Sequence, residues 1–154
     1  MNVMAPTRPT ELRGYRVRLT AGPAAAAQAR RQVRAAICTW DIPVDPDVAI
    51  LLTSELVTNA IRHEVTGIVM LAITCPVGQL RVDVHDTSRV LPMRVDAPVD
   101  AEAGRGLMLV TTLSAEWGFY RTPAGKAVYF TLAFPPDVAE GGERGLQGVQ
   151  AWGL

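Results

Sequence analysis

Residues 54–63 read SELVTNAIRH, and they follow the apolar run Val48, Ala49, Ile50, Leu51, Leu52. A segment that starts as core thus continues with Glu55, Asn59, Arg62 and His63 at helical spacing. A helix turns ~100° per residue, so with Glu55 as origin Asn59 lies at about 40°, Arg62 at about −20° and His63 at about 80°. Val48 and Leu52 share that face, at about 20° and 60°. Val57 and Ile61 lie on the other side and are apolar too. Charged and amide groups are costly to bury without partners. The stripe therefore either faces water or lines a pocket. An amide oxygen four residues from a carboxylate suits the second case. Asn can offer oxygen to a hard cation, and Glu can orient or deprotonate a nucleophile. Magnesium takes oxygen ligands and is usually held together with substrate phosphates.

Working outward, Asp45 before Pro46 predicts the start of this helix, a capping side chain followed by proline at the first helical position. Its end is predicted at His63, before the break at Thr66-Gly67. On the N-terminal side, Tyr15 to Leu19 alternates and predicts a strand. Ala24 to Trp40 predicts a helix with Ala26, Ala29, Val33, Ala36, Ile37 and Trp40 inward. Its Arg30, Arg31 and Arg34 read as a solvated face, with a partner-docking surface as the alternative. On the C-terminal side, Ile68–Thr74 and Leu80–His85 predict strands joined by the turn Pro76-Val-Gly78-Gln, a hairpin. Residues 87–103 show no clear element, and long connections often cover binding sites. Gly104-Arg-Gly106 then opens a predicted helix over 107–113. Two strands, 116–121 and 127–134, flank a turn at Gly125.

The expected fold class follows. The order strand, helix, helix, strand, strand, helix, strand, strand is not strict alternation. It predicts an α+β two-layer sandwich, a mostly antiparallel mixed sheet with helices on one face. The domain is expected over 14–136, between flexible segments at 1–13 and 137–154.

Composition narrows the function classes. The chain has 154 residues, 49% hydrophobic and 19% charged, which suits one domain with a full core. Lys+Arg and Asp+Glu are 15 each, so bulk charge is not built to grip nucleic acid. Lys126 is the only lysine; every other base is arginine. No stretch is apolar for long enough to cross a bilayer, and the N-terminus has no signal-peptide run, so a cytoplasmic protein away from membranes is expected. Cys38 and Cys75 make no metal-ligand pattern and are expected as buried thiols, a disulfide being the alternative. A metal-dependent hydrolase would need a ligand cluster that the sequence lacks.

Two further pieces join the Glu55–Asn59 stripe. Glycines at a helix start let phosphate approach exposed amides, although Gly104 and Gly106 alone are a common helix opening. Asp86 ends a strand, where it can accept a hydrogen bond from an exocyclic amine or simply initiate a turn.

In order, Glu55-x-x-x-Asn59-x-x-x-His63, a strand ending in Asp86, a loop and Gly104-Arg-Gly106-Leu resemble the GHKL superfamily (gyrase, Hsp90, histidine kinase and MutL). The phrases ELVTNAIRH, VDVHD, GRGLMLV and GKAVYF look most like its short stand-alone actinobacterial branch, related to anti-sigma-factor serine kinases. The resemblance covers roughly residues 15–134. It implies a Bergerat-type ATP-binding fold with ATP and magnesium as cofactors. Glu55 would be the general base and Asn59 the magnesium ligand. Asp86, with Ser88 after it, would bind adenine. Gly104, Arg105, Gly106 and Leu107 would meet the phosphates, with Arg62 and His63 near them or the lid. The implied activity is serine phosphorylation of an antagonist protein in sigma-factor control, in a chain that could form a homodimer. The alternative is an inactive module acting by sequestration. A sensor histidine kinase is set aside, since the sequence carries no phosphoacceptor domain. The sequence departs from the superfamily where Thr87, Ser88 and Arg89 replace the usual glycines. It departs again at Ala127, where a hydroxyl is common, and at Glu64, which adds charge beside the implied phosphates.

Overall fold

The computed structural model describes residues 13–64, 66–90 and 101–135. In chain order these form β1 (Arg13–Thr20), α1 (Ala25–Thr39), α2 (Pro46–His63), β2 (Ile68–Cys75), β3 (Gln79–Asp86), α3 (Ala101–Leu113), β4 (Glu116–Arg121) and β5 (Lys126–Ala133). The expected tail at 137–154 and all but the last residue of the expected N-terminal segment lie outside the described residues; Arg13 opens β1.

The five strands make one sheet in the order β1-β2-β3-β5-β4. All four ladders among the described residues are antiparallel, so the sheet expected as mostly antiparallel is wholly so here, without the parallel pair that would make it mixed. One face carries Leu19, Val69, Leu71, Ile73, Leu80, Val82, Val84, Val128, Phe130 and Leu132, all buried in the same core as the inner faces of α1 and α2. Each fully buried Leu, Val or Phe contributes about 1.5–3 kcal/mol by leaving water. The result is the expected α+β sandwich, with helices layered on one side.

Helix α2 begins as its sequence dictates. Asp45 is extended, its Oδ1 accepts from the Asp47 N–H at 2.9 Å, and Pro46 takes the first turn. Its inner face is Ala49, Leu52, Thr53, Leu56, Val57 and Ala60. Helix α1 packs beside it through Ala25, Ala29, Val33, Ala36 and Ile37. Arg31 and Arg34 are exposed, as a solvated face requires, but Arg30 donates to Ser54 Oγ at 3.1 Å and ties α1 to α2. The β2–β3 turn needs Gly78, whose φ is +82°, a value that Cβ-bearing residues resist.

The cysteines depart from expectation. Cys38 is exposed on α1 and Cys75 only half-buried at the end of β2; both are free thiols. Cys38 falls outside the apolar stripe of α1, which one-dimensional neighbours do not reveal. No helix among the described residues is long and apolar enough to cross a membrane.

Candidate functional site

The stripe on α2 divides by depth. Glu55 and Asn59 are half-buried, whereas Arg62 and His63 at the helix end are exposed. Neither Glu55 nor Asn59 makes a side-chain hydrogen bond or ion pair with another described residue. A carboxylate and an amide, one turn apart and partly withdrawn from water, thus keep their oxygens unspent. That donor set suits one magnesium ligand and one nucleophile-orienting base.

Helix α3 closes over Glu55, but not as expected. It begins at Ala101, so Gly104-Arg-Gly106 lies inside the helix rather than opening it at residue 107. Ala101, Glu102 and Ala103 are good helix formers and extend it toward the N-terminus. Only the first four amides of a helix lack an internal partner. Gly104 is the last of these, and Gly106 lies beyond them. What Gly106 supplies is closeness: a Cβ there would collide with the Glu55 carboxylate. The side chains of Arg105 and Leu107 lie outside those described.

Asp86 ends β3 facing the helices. It is 3% exposed, and its cross-strand partner is Lys126 at the start of β5. Lys126, a residue 2% exposed, donates from its ammonium to Oδ1 and Oδ2, each at 2.9 Å. The Ser88 N–H also donates to Oδ1, at 2.8 Å. Ser88 is itself absorbed by the loop, its Oγ accepting from the Val90 N–H at 3.0 Å. The register decides which residue of β5 stands at the site. The residue beside Asp86 on β5 is Lys126; Ala127 pairs with His85 on the opposite sheet face. A strand shows successive side chains on opposite faces, so one step of register decides which residue meets the site. Removing one member of such a buried pair typically costs about 3–5 kcal/mol.

Around this pair, His63 is pushed below the usual histidine value first by partial loss of water around its exposed ring, then by the charge of Lys126, while Asp86 pulls the other way. Glu64, the departure that adds charge beside the implied phosphates, serves as a clasp. It accepts from the Thr87 N–H at 2.9 Å, the Thr87 hydroxyl at 2.8 Å and the Gly67 N–H at 3.1 Å, and from both donors of Thr66. Burial would raise its pKa, but the hydrogen bonds from Thr66 and Thr87 outweigh burial and hold it at about 2. Gly125 lets the β4–β5 turn press on this corner: a Cβ there would strike the Asp86 carbonyl oxygen and come within 2.6 Å of Thr87 Cα.

The site therefore has two ends of different fit. The Glu55–Asn59 end fits a metal-chelated phosphate. The Asp86 end does not fit a base amine as it stands, because Lys126 engages both carboxylate oxygens and the pair is buried, with the Asp86 side chain 1% exposed, leaving no approach to the remaining lone pairs.

A second polar group occupies the other sheet face, unforeseen in the sequence. There Asp83 is buried, accepting two bonds from Arg81 at 2.8 and 2.9 Å and one from the Tyr120 hydroxyl at 2.8 Å. Arg81 stacks 4.0 Å from the Tyr129 ring centre. Burial first, then Asp83, pushes Tyr120 up to about 12. A cavity of about 420 Å³ opens beside them, lined also by Arg16, Thr74 and His85. The alternation Arg81, Asp83, His85 was the available signal, but it reads equally as a wet strand face.

Among the described residues, no three His, Cys, Asp or Glu side chains converge on a metal position. One protein oxygen with phosphate oxygens and water is the usual magnesium arrangement, so this does not conflict with Asn59 as ligand.

The search of curated proteins finds no match. Among solved structures, the chain is similar to the histidine kinase domain of the Erythrobacter litoralis EL346 blue-light activated histidine kinase. The two are 25% identical, with a TM-score of 0.47, over 73% of this chain and 64% of that one. This chain thus spans somewhat under two thirds of that domain. Residues 19–132 match the histidine kinase-like ATPase domain, and the chain belongs to that family.

Proposed function

We propose that the protein is an ATP- and magnesium-binding regulator that phosphorylates a serine on an antagonist protein and so controls a sigma factor. The observation that carries this reading is the pair Glu55 and Asn59, half-buried on one face of α2 with their oxygens unspent. Asn59 would supply a protein oxygen to magnesium. The ion, when bound, neutralises charge on the transferring phosphoryl group. Glu55 would orient the acceptor hydroxyl and take its proton as the new O–P bond forms and ADP leaves. Phosphoryl transfer depends on such positioning more than on covalent help. Partner, transcriptional role and homodimerisation rest on the resemblance of the motifs, and net neutrality favours a protein partner over nucleic acid.

The test is turnover of MgATP by the wild-type protein and by Glu55→Ala, with water in place of the serine hydroxyl as phosphoryl acceptor, and a thermal melt at millimolar MgATP for each. Binding stabilises by mass action, so both should melt higher with nucleotide, and only the wild type should release ADP. Equal turnover by the variant would remove Glu55 from its role. No melting shift in either protein would remove the nucleotide reading.

A second reading, sequestration of a partner without turnover, is favoured by one observation: the Lys126–Asp86 pair at the base end.

A further inference from the structure

We infer that Lys126 is a resident occupant of the base end of this site: its ammonium takes the place that a purine amine would occupy on Asp86. The inference rests on the reading of Asp86 as the base anchor and deepens it by naming what controls that anchor. A purine amine is a neutral donor. The position already holds a charged donor that reaches both carboxylate oxygens at 2.9 Å. The ammonium and the carboxylate form a buried ion pair of two full charges, and removing one member leaves the other buried without its counter-charge, so an adenine cannot displace the ammonium by a simple exchange of equal partners. Nor is there space to share. The two side chains are 3% and 1% exposed, and Ser88 N–H already uses Oδ1. The walls are fixed as well: the backbone at Gly125 is pressed against Asp86 and Thr87, and Glu64 pins Thr87 through both its amide and its hydroxyl.

Two consequences follow for ligand choice. With Lys126 in place, recognition falls to the phosphate end, and the protein binds a magnesium-chelated triphosphate with little regard for the base. A change that frees Asp86 while leaving it a neutral donor restores preference for adenine. Lys126→Thr does this, because its hydroxyl is short and can still donate to the carboxylate.

Calorimetric titration with MgATP and, separately, with magnesium inorganic triphosphate tests this on wild type and Lys126→Thr, each checked by melting. The wild type should bind the two probes within about threefold of each other. The variant should bind MgATP about tenfold to a hundredfold more tightly than triphosphate, the range for a hydrogen bond to a charged group. Lys126→Gln, whose amide also donates, carries the same arms if the threonine variant does not fold. A wild-type protein that already prefers MgATP tenfold, or variants that gain no preference, would overturn the inference while the phosphate reading stands. If neither protein binds either probe, the phosphate reading falls too, and the inference with it.

Discussion

Gly106 of α3 lies against Glu55 of α2 so closely that a Cβ on the glycine would collide with the carboxylate. The colliding atom is the far end of a flexible side chain, so the contact constrains where Glu55 points more than whether the protein folds. Gly106→Ala separates the two. Alanine in a helix is favoured over glycine by about 1 kcal/mol, so the melting temperature should hold or rise slightly. The displaced carboxylate should lower MgATP turnover tenfold or more, since small misplacement of a positioned group costs about a hundredfold in many enzymes. A variant with undiminished turnover would show that Glu55 needs no such placement.

Gly125→Ala behaves differently, because the atoms it would strike are backbone, the Asp86 carbonyl oxygen and Thr87 Cα. Backbone cannot swing aside. We expect a loss of about 1–3 kcal/mol in urea unfolding, the usual cost of overpacking. A midpoint equal to wild type would mean that the turn can lift away from β3.

Glu64 gives the fold a defined acid sensitivity. Its pKa is near 2 in the folded protein, below the ordinary value of 4.5. A depressed carboxylate contributes stability that is present above its unfolded value and lost as pH falls through the folded one. Melting of the wild type should therefore decline from about pH 4.5 toward about pH 2, and Glu64→Gln should decline less over that window. Parallel curves for the two proteins would dismiss the clasp.

Thr53 is buried in α2, and its hydroxyl has no hydrogen-bond partner among the described residues. Valine has the same shape without the unsatisfied group. Thr53→Val should raise stability by about 1 kcal/mol, measured by denaturant midpoint. Destabilisation would reveal a partner for the hydroxyl.

Much of this was legible in one dimension because the signals are local. Asp45-Pro46 fixes where α2 begins, and periodicity fixes which of its residues are core. Alternation places the strands of the β2–β3 hairpin, with Gly78 marking its turn. The start of α3 was less legible, since glycines usually mark helix ends, and here one of them serves close packing against a neighbouring helix instead. Cys38 among apolar residues looked buried, yet only the helical wheel and the neighbour it meets decide burial.

The sequence by itself determined the elements, the sandwich they build and the pairing of Glu55 with Asn59, because one helical turn sets that spacing wherever the helix goes. Only the tertiary structure decided what stands at Asp86. Forty residues separate it from Lys126, and nothing local links them. The register of β3 against β5 brings the chain's only lysine onto the helix-facing side, and burial then leaves the ammonium no better partner than that carboxylate.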